Sequence, residues 1–156
     1  MRQTMGDTMT MRGSVYIEQF RNGRRIDARF FDNLVVTVGV QWLAGALSGD
    51  TSSPSLMKYV GIGTSTTAAG TTQTALVTEI ETRAAGTQSR VTTTLMSDSY
   101  QAVGTITLTG THAVTECGIF SASSSGSMMA RQTFAAINGV ATDTIQVTWK
   151  IKFASG

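Results

Sequence analysis

The sequence predicts an all-β protein, an antiparallel β-sandwich of jelly-roll-like form with roughly eight strands and one short helix near residues 38–48. Three observations predict it. Thr supplies 26 of the 156 residues, beside 16 Gly and a single Pro; β-branched Thr favours strands, while Gly marks turns. In the segment 144–153, Ile145, Val147, Trp149, Ile151 and Phe153 alternate without error with Thr144, Gln146, Thr148, Lys150 and Lys152. Strict period 2 means one buried face and one polar face. Finally, Asn22-Gly23 stands between two strand-like runs, and this pair readily takes the positive φ angles of a type I′ hairpin turn.

In chain order, residues 1–13 show no periodicity and are expected to form a flexible N-terminal arm. Residues 14–156 are expected to form a single sandwich domain, with 14–32 as an N-terminal hairpin. On its second strand Ile26, Ala28 and Phe30 share one face and Arg25, Asp27 and Arg29 the other. The apolar set is expected to pack and the charged set to be wet or to touch a partner. Val38, Trp42 and Ala46, flanked by Leu43 and Leu47, then recur at helical spacing, with Thr37 placed to cap the helix and Gly49 to end it. Loops follow at Ser48–Ser55 and, with low complexity, in TSTTAAGTTQT. MKYVGIGT between them reads as a strand, and Ala75–Arg83 as either a short helix or an extended segment. Strands are expected at Arg90–Met96, Tyr100–Leu108, TECGIFSAS and MMARQTF, with a turn at Asn138-Gly139 before the last strand.

Length and composition narrow the function. A 16.5 kDa chain suits one domain. Charged residues are 14%, against a usual figure of about 25%, which argues against a disordered polyelectrolyte. One Cys and one His exclude an internal disulfide and a zinc site of the Cys/His kind. No apolar run reaches the ~18 residues of a membrane span. The N-terminus lacks the apolar stretch of a secretory signal, so synthesis and assembly in a cytoplasm are expected.

Few residues suggest catalysis. His112 is the one histidine that could serve as a general base, but no G-x-S-x-G nucleophile elbow accompanies it. Cys117 lies in a strand pattern without a cationic neighbour, as a small buried hydrophobe would. Gly61-Ile62-Gly63-Thr64 lacks the following Lys of a phosphate loop. Glu79 and Glu81 could pair as carboxylates on one side of a strand, but no second acidic cluster supports them. No catalytic, cofactor or metal site is expected. Six Arg precede Asn33. Without interleaved aromatics for base stacking, Arg12, Arg21, Arg24, Arg25 and Arg29 read as contacts to a protein partner, with no nucleic acid and no membrane expected.

Four blocks stand in series: NLVVTVGVQWLAGALSG, MKYVGIGTSTTAAGTTQTALVTEIETR, AVTECGIFSASSSGSMMARQTF and DTIQVTWKIKF. Together, over about residues 33–153, they resemble a family of small structural proteins of tailed bacteriophages. The resemblance implies a virion protein with a jelly-roll or related sandwich, serving either as a capsid cement (decoration) subunit or as a tail, neck or fibre-adaptor piece. It further implies location on the capsid surface, the major capsid protein as partner and self-association as a trimer or dimer. Cys117 stands where the family often has a small residue, and residues 1–32 fall outside the likeness. A carbohydrate-binding or enzymatic jelly-roll module is the reading from another class.

Overall fold

The structure, a computed structural model, describes residues 9–49 and 56–155. Nine strands and one helix follow in order: β1 (Met9–Arg21), β2 (Arg24–Val35), α1 (Thr37–Ser48), β3 (Tyr59–Gly63), β4 (Glu79–Ala85), β5 (Thr87–Val91), β6 (Ser99–Thr107), β7 (His112–Phe120), β8 (Met128–Gly139) and β9 (Thr144–Ser155). Every pairing is antiparallel, and the strands form one ladder, β4-β3-β7-β8-β2-β1-β9-β6-β5. The expected all-β antiparallel class with one short helix is the fold observed.

The ladder folds into two facing layers because β2 serves both. Its Arg24–Asn33 stretch pairs with β1, and its last residues, Leu34 and Val35, pair with Arg131 and Ala130 of β8. At the other end β4 runs almost directly into β5, the intervening Gly86 N–H donating to the Lys58 carbonyl at 2.7 Å. The sheet is thus nearly closed. Its connectivity is more local than a jelly roll implies: β1–β2, β3–β4, β5–β6 and β7–β8 are all neighbours.

Between the layers lies the main core. Val15 and Ile17 of β1 and Ile145, Val147, Trp149 and Ile151 of β9 face Val60, Ile62, Val114, Cys117, Ile119 and Ile137 from the opposite layer. The alternation read in β9 therefore marks its buried face correctly. A second cluster, Val36, Leu76, Phe120 and Met128, sits on the other side of β7 and β8. Covered on both faces, β7 is buried continuously from Val114 to Phe120.

Several boundaries differ from expectation. β1 begins at Met9, so residues 9–13 of the expected arm are strand paired with β9, as Met11 is with Phe153; residues 1–8 lie outside the described residues. The helix is capped at Val36 without a side-chain bond, not by Thr37, and ends on left-handed Gly49 as expected. Ala75–Arg83 is not helical: Ala75–Thr78 belong to the preceding loop and β4 begins at Glu79. The strand expected at Arg90–Met96 lies earlier, as β5, and Thr92–Asp98 form a turn tied by the Asp98 carboxylate to the N–H groups of Thr93, Thr94 and Leu95. β8 runs through Asn138-Gly139, and the turn falls at Val140–Asp143, where the Asp143 carboxylate accepts the Val140 N–H.

Candidate protein-binding face

The β1–β2 hairpin turns at Asn22 and Gly23, with φ of 50° and 74°, as the type I′ reading required. Its side-chain facing is the reverse of the expected one for every residue of the two sets except Arg25, which stays outside beyond the register shift. Val15 and Ile17 of β1 point into the core, and strands paired in antiparallel register share faces. Their partners Phe31 and Arg29 therefore point inward with Asp27, opposite Gln19. Ile26, Ala28 and Phe30 are left outside, and Ile26 and Phe30 are 47% and 65% exposed. The expectation that this apolar set packs is overturned. The residues that decided it, Val15 and Ile17, lie on the neighbouring strand.

The outer face of β2, β1 and β9 is consequently aromatic and basic. Phe30 pairs with Tyr16, and Tyr16 with Thr148; Ala28 pairs with Glu18, and Glu18 with Gln146. A shift in the ladder between Gln19 and Phe20 brings Phe20 opposite Arg25. The Arg25 guanidinium donates to Glu18 Oε1 at 2.9 Å and to the Tyr16 hydroxyl at 3.3 Å. Arg12 pairs with Lys152, Ser14 pairs with Lys150, and Arg24 stands exposed at the turn.

The five arginines read as partner contacts thus separate into two sets. Arg12, Arg24 and Arg25 belong to this outer face or its rim. Arg21 and Arg29 are engaged within the fold. Arg21 grips the buried Asp143 carboxylate with two bonds, Nε to Oδ1 at 2.9 Å and Nη2 to Oδ2 at 2.8 Å, and Gln19 donates to the same oxygen at 2.9 Å. These bonds hold the Asp143 carboxyl well below the usual carboxylate range. Arg29 pairs with Asp27 at 2.8 Å and donates to the Ala135 and Ala136 carbonyls of β8. Among the described residues, Arg12 and Arg24 have no ion-pair partner.

The residues weighed for catalysis are placed apart. Glu79 pairs with Arg83, whose guanidinium lies 3.4 Å from the Phe120 ring centroid and binds the Ala122 and Ser125 carbonyls. Glu81 accepts from Thr109 and lies 3.3 Å from His112 Nε2, so the two glutamates are not a carboxylate pair. Cys117 is fully buried; burial first, and then the Glu116 charge, push its thiol up in pKa. Among the described residues no cluster of three or more His, Cys, Asp or Glu could hold a metal ion, and no helix is long and apolar enough to cross a membrane.

One charged pair escaped the sequence reading. Glu116 and Arg131, on paired strands β7 and β8, are both 0% exposed and 2.7 Å apart. Glu116 also accepts the N–H groups of Val77 and Thr78, while Arg131 reaches Gln73 Oε1 and the Thr67 carbonyl. Together they fasten the long 64–78 loop over the outside of the β3-β7-β8 layer. The available sequence signal was a Glu and an Arg embedded in otherwise apolar strands.

No protein-family model matches the chain, and neither does any curated protein or solved structure.

Proposed function

We propose that this chain is a non-catalytic virion structural protein, a capsid cement subunit that binds the assembled head lattice. The single observation that carries a docking role is the outer face of β2, β1 and β9. Phe30 and Ile26 stand exposed there beside Tyr16 and Phe20, with Arg12, Arg24 and Arg25 around them. Aromatic residues and arginine are the types that dominate binding energy at protein interfaces. The phage assignment is supported by the four serial blocks over residues 33–153. The partner is an acidic, partly apolar surface of the major capsid protein, and self-association as a trimer or dimer multiplies each contact by avidity. Preference for the assembled lattice over free subunits stabilises that lattice by mass action.

Co-sedimentation of the full chain with purified empty heads tests this reading. Wild type is expected to saturate the heads. Phe30→Ala is expected to lower affinity by about 2 kcal/mol or more, the scale of an interface hot spot, while its thermal midpoint stays near wild type because Phe30 is exposed. Immunogold labelling of virions places the protein: dense label over heads supports the cement role, and label confined to the neck or tail tip replaces it with the adaptor role. Unaltered binding by Phe30→Ala removes this face from the proposal.

A further inference from the structure

A separate feature lies at the end of the barrel where α1 packs. A cavity of about 320 Å³ opens there between the helix and the inner ends of β5, β6 and β9. Its walls are Trp42 of α1, Tyr100 of β6, Met129 of β8 and Ile151 and Phe153 of β9. The strand register explains the wall, since Arg90 pairs with Tyr100 and Tyr100 with Ile151, placing the three side by side on the inner surface. Phe153 follows two residues after Ile151 on the same face. Arg90 therefore stands at the mouth, at the end of an apolar row.

The polar groups of the lining are already engaged with one another. The Tyr100 hydroxyl donates to the Met57 carbonyl and accepts from Gln88 Nε2, which holds the ring as a fixed wall. The Ser99 hydroxyl, on a residue only 1% exposed, bonds the Asp98 carboxylate and Thr93. What remains towards the cavity is apolar surface. An apolar wall of this kind favours an apolar guest, whose burial there removes apolar surface from water. Among the described residues Arg90 is the one charged residue of the lining, with no carboxylate beside it there and no ion-pair partner. Barrel mouths are recurrent ligand sites, and this volume is at the small end of their range, roughly 300–1,000 Å³.

We propose that this cavity binds a medium-chain apolar carboxylate. Its chain packs against Trp42, Tyr100, Met129, Ile151 and Phe153, and its carboxylate meets the Arg90 guanidinium at the mouth. Charge complementarity selects the anion, and an uncharged wall selects the chain. The inference does not depend on the capsid reading, because the cavity lies inside the barrel end and not on the outer face.

Titration of the full chain with decanoate, followed by tryptophan fluorescence and calorimetry, tests it. Trp42 lines the cavity, whereas Trp149 is buried in the core. The expected result is saturable calorimetric binding of one decanoate per chain below its micelle concentration, with a fluorescence change that Trp42→Phe removes. Arg90→Gln, at an exposed position, is expected to weaken decanoate about tenfold or more, the scale of a lost charged hydrogen bond, and to leave decanol binding unchanged. Absence of saturable decanoate binding overturns the proposal. Equal loss of decanoate and decanol in Arg90→Gln, or no loss of either, overturns the assignment of the carboxylate to Arg90.

Discussion

Asp143 shows how a single carboxylate organises a strand connection. It receives Arg21 and Gln19 from β1 and the Val140 N–H of its own turn, so β1 and the β8–β9 turn meet on one buried group. Its folded pKa is depressed, with the Arg21 hydrogen bonds the largest cause. A depressed carboxylate contributes stability that is complete above its unfolded pKa, about 4, and is lost as pH falls towards the folded value. Asp143→Asn is therefore expected to lower the thermal midpoint at pH 7, with the gap to wild type narrowing as pH falls below about 4. Melting curves of both proteins across that range check this. Glu116 and Arg131 make a harder demand, because neither touches solvent. Removing one charge leaves the other buried and unpaired, which costs about 3–5 kcal/mol. Glu116→Ala is expected to unfold in chemical denaturation with a loss of that size and to expose the 64–78 loop to proteolysis, since Val77 and Thr78 lose their acceptor.

At the scale of elements, α1 illustrates packing by close approach. Gly39 is buried in its first turn, and a Cβ built there would lie 2.4 Å from the Met129 carbonyl oxygen of β8. The helix sits flat on the sheet only because that side chain is missing. Gly39→Val is expected to push the helix from β8 and to destabilise the fold by roughly 1–3 kcal/mol, the usual range for overpacking; equilibrium unfolding measures it. The helix itself was legible in the sequence, because Val38, Trp42 and Ala46 recur at its period and Gly49 supplies the left-handed end. The β1–β2 hairpin was legible as a hairpin but not in its facing. Its second strand carries an apolar set and a charged set of nearly equal merit. The tie is broken by Val15 and Ile17 across the ladder and by Asp27, which neutralises the inward Arg29. Ile26 and Phe30 stand exposed because the apolar set lost that choice.

At the scale of the whole molecule, the first and last strands are neighbours: β1 pairs with β9 from Met9–Ser155 to Phe20–Thr144. The central strands of the β5-to-β2 layer therefore join only after nearly the whole chain is made. Sheets dominated by such distant pairings fold slowly, in milliseconds to seconds. Stopped-flow refolding is expected to fall in that window, and a microsecond phase accounting for the full amplitude would contradict the topology. The same closure leaves few free edges, which limits edge-to-edge aggregation. A sheet closed in this way exposes mainly its outer faces and its barrel ends.

What the sequence alone determined about this protein is its local grammar. Period 2 in Ile145–Phe153 marked β9 and its buried face, and Asn22-Gly23 marked a turn with positive φ at both residues. One Cys and one His bounded the chemistry before any coordinates. Tertiary structure alone decided which arginines remain outside, where Glu116 finds Arg131, and that Arg90 ends an apolar row. Local pattern reports the contrast between the two faces of a strand. Which face turns inward is set by a partner far away in the chain, through register, and register is a property of the assembled sheet.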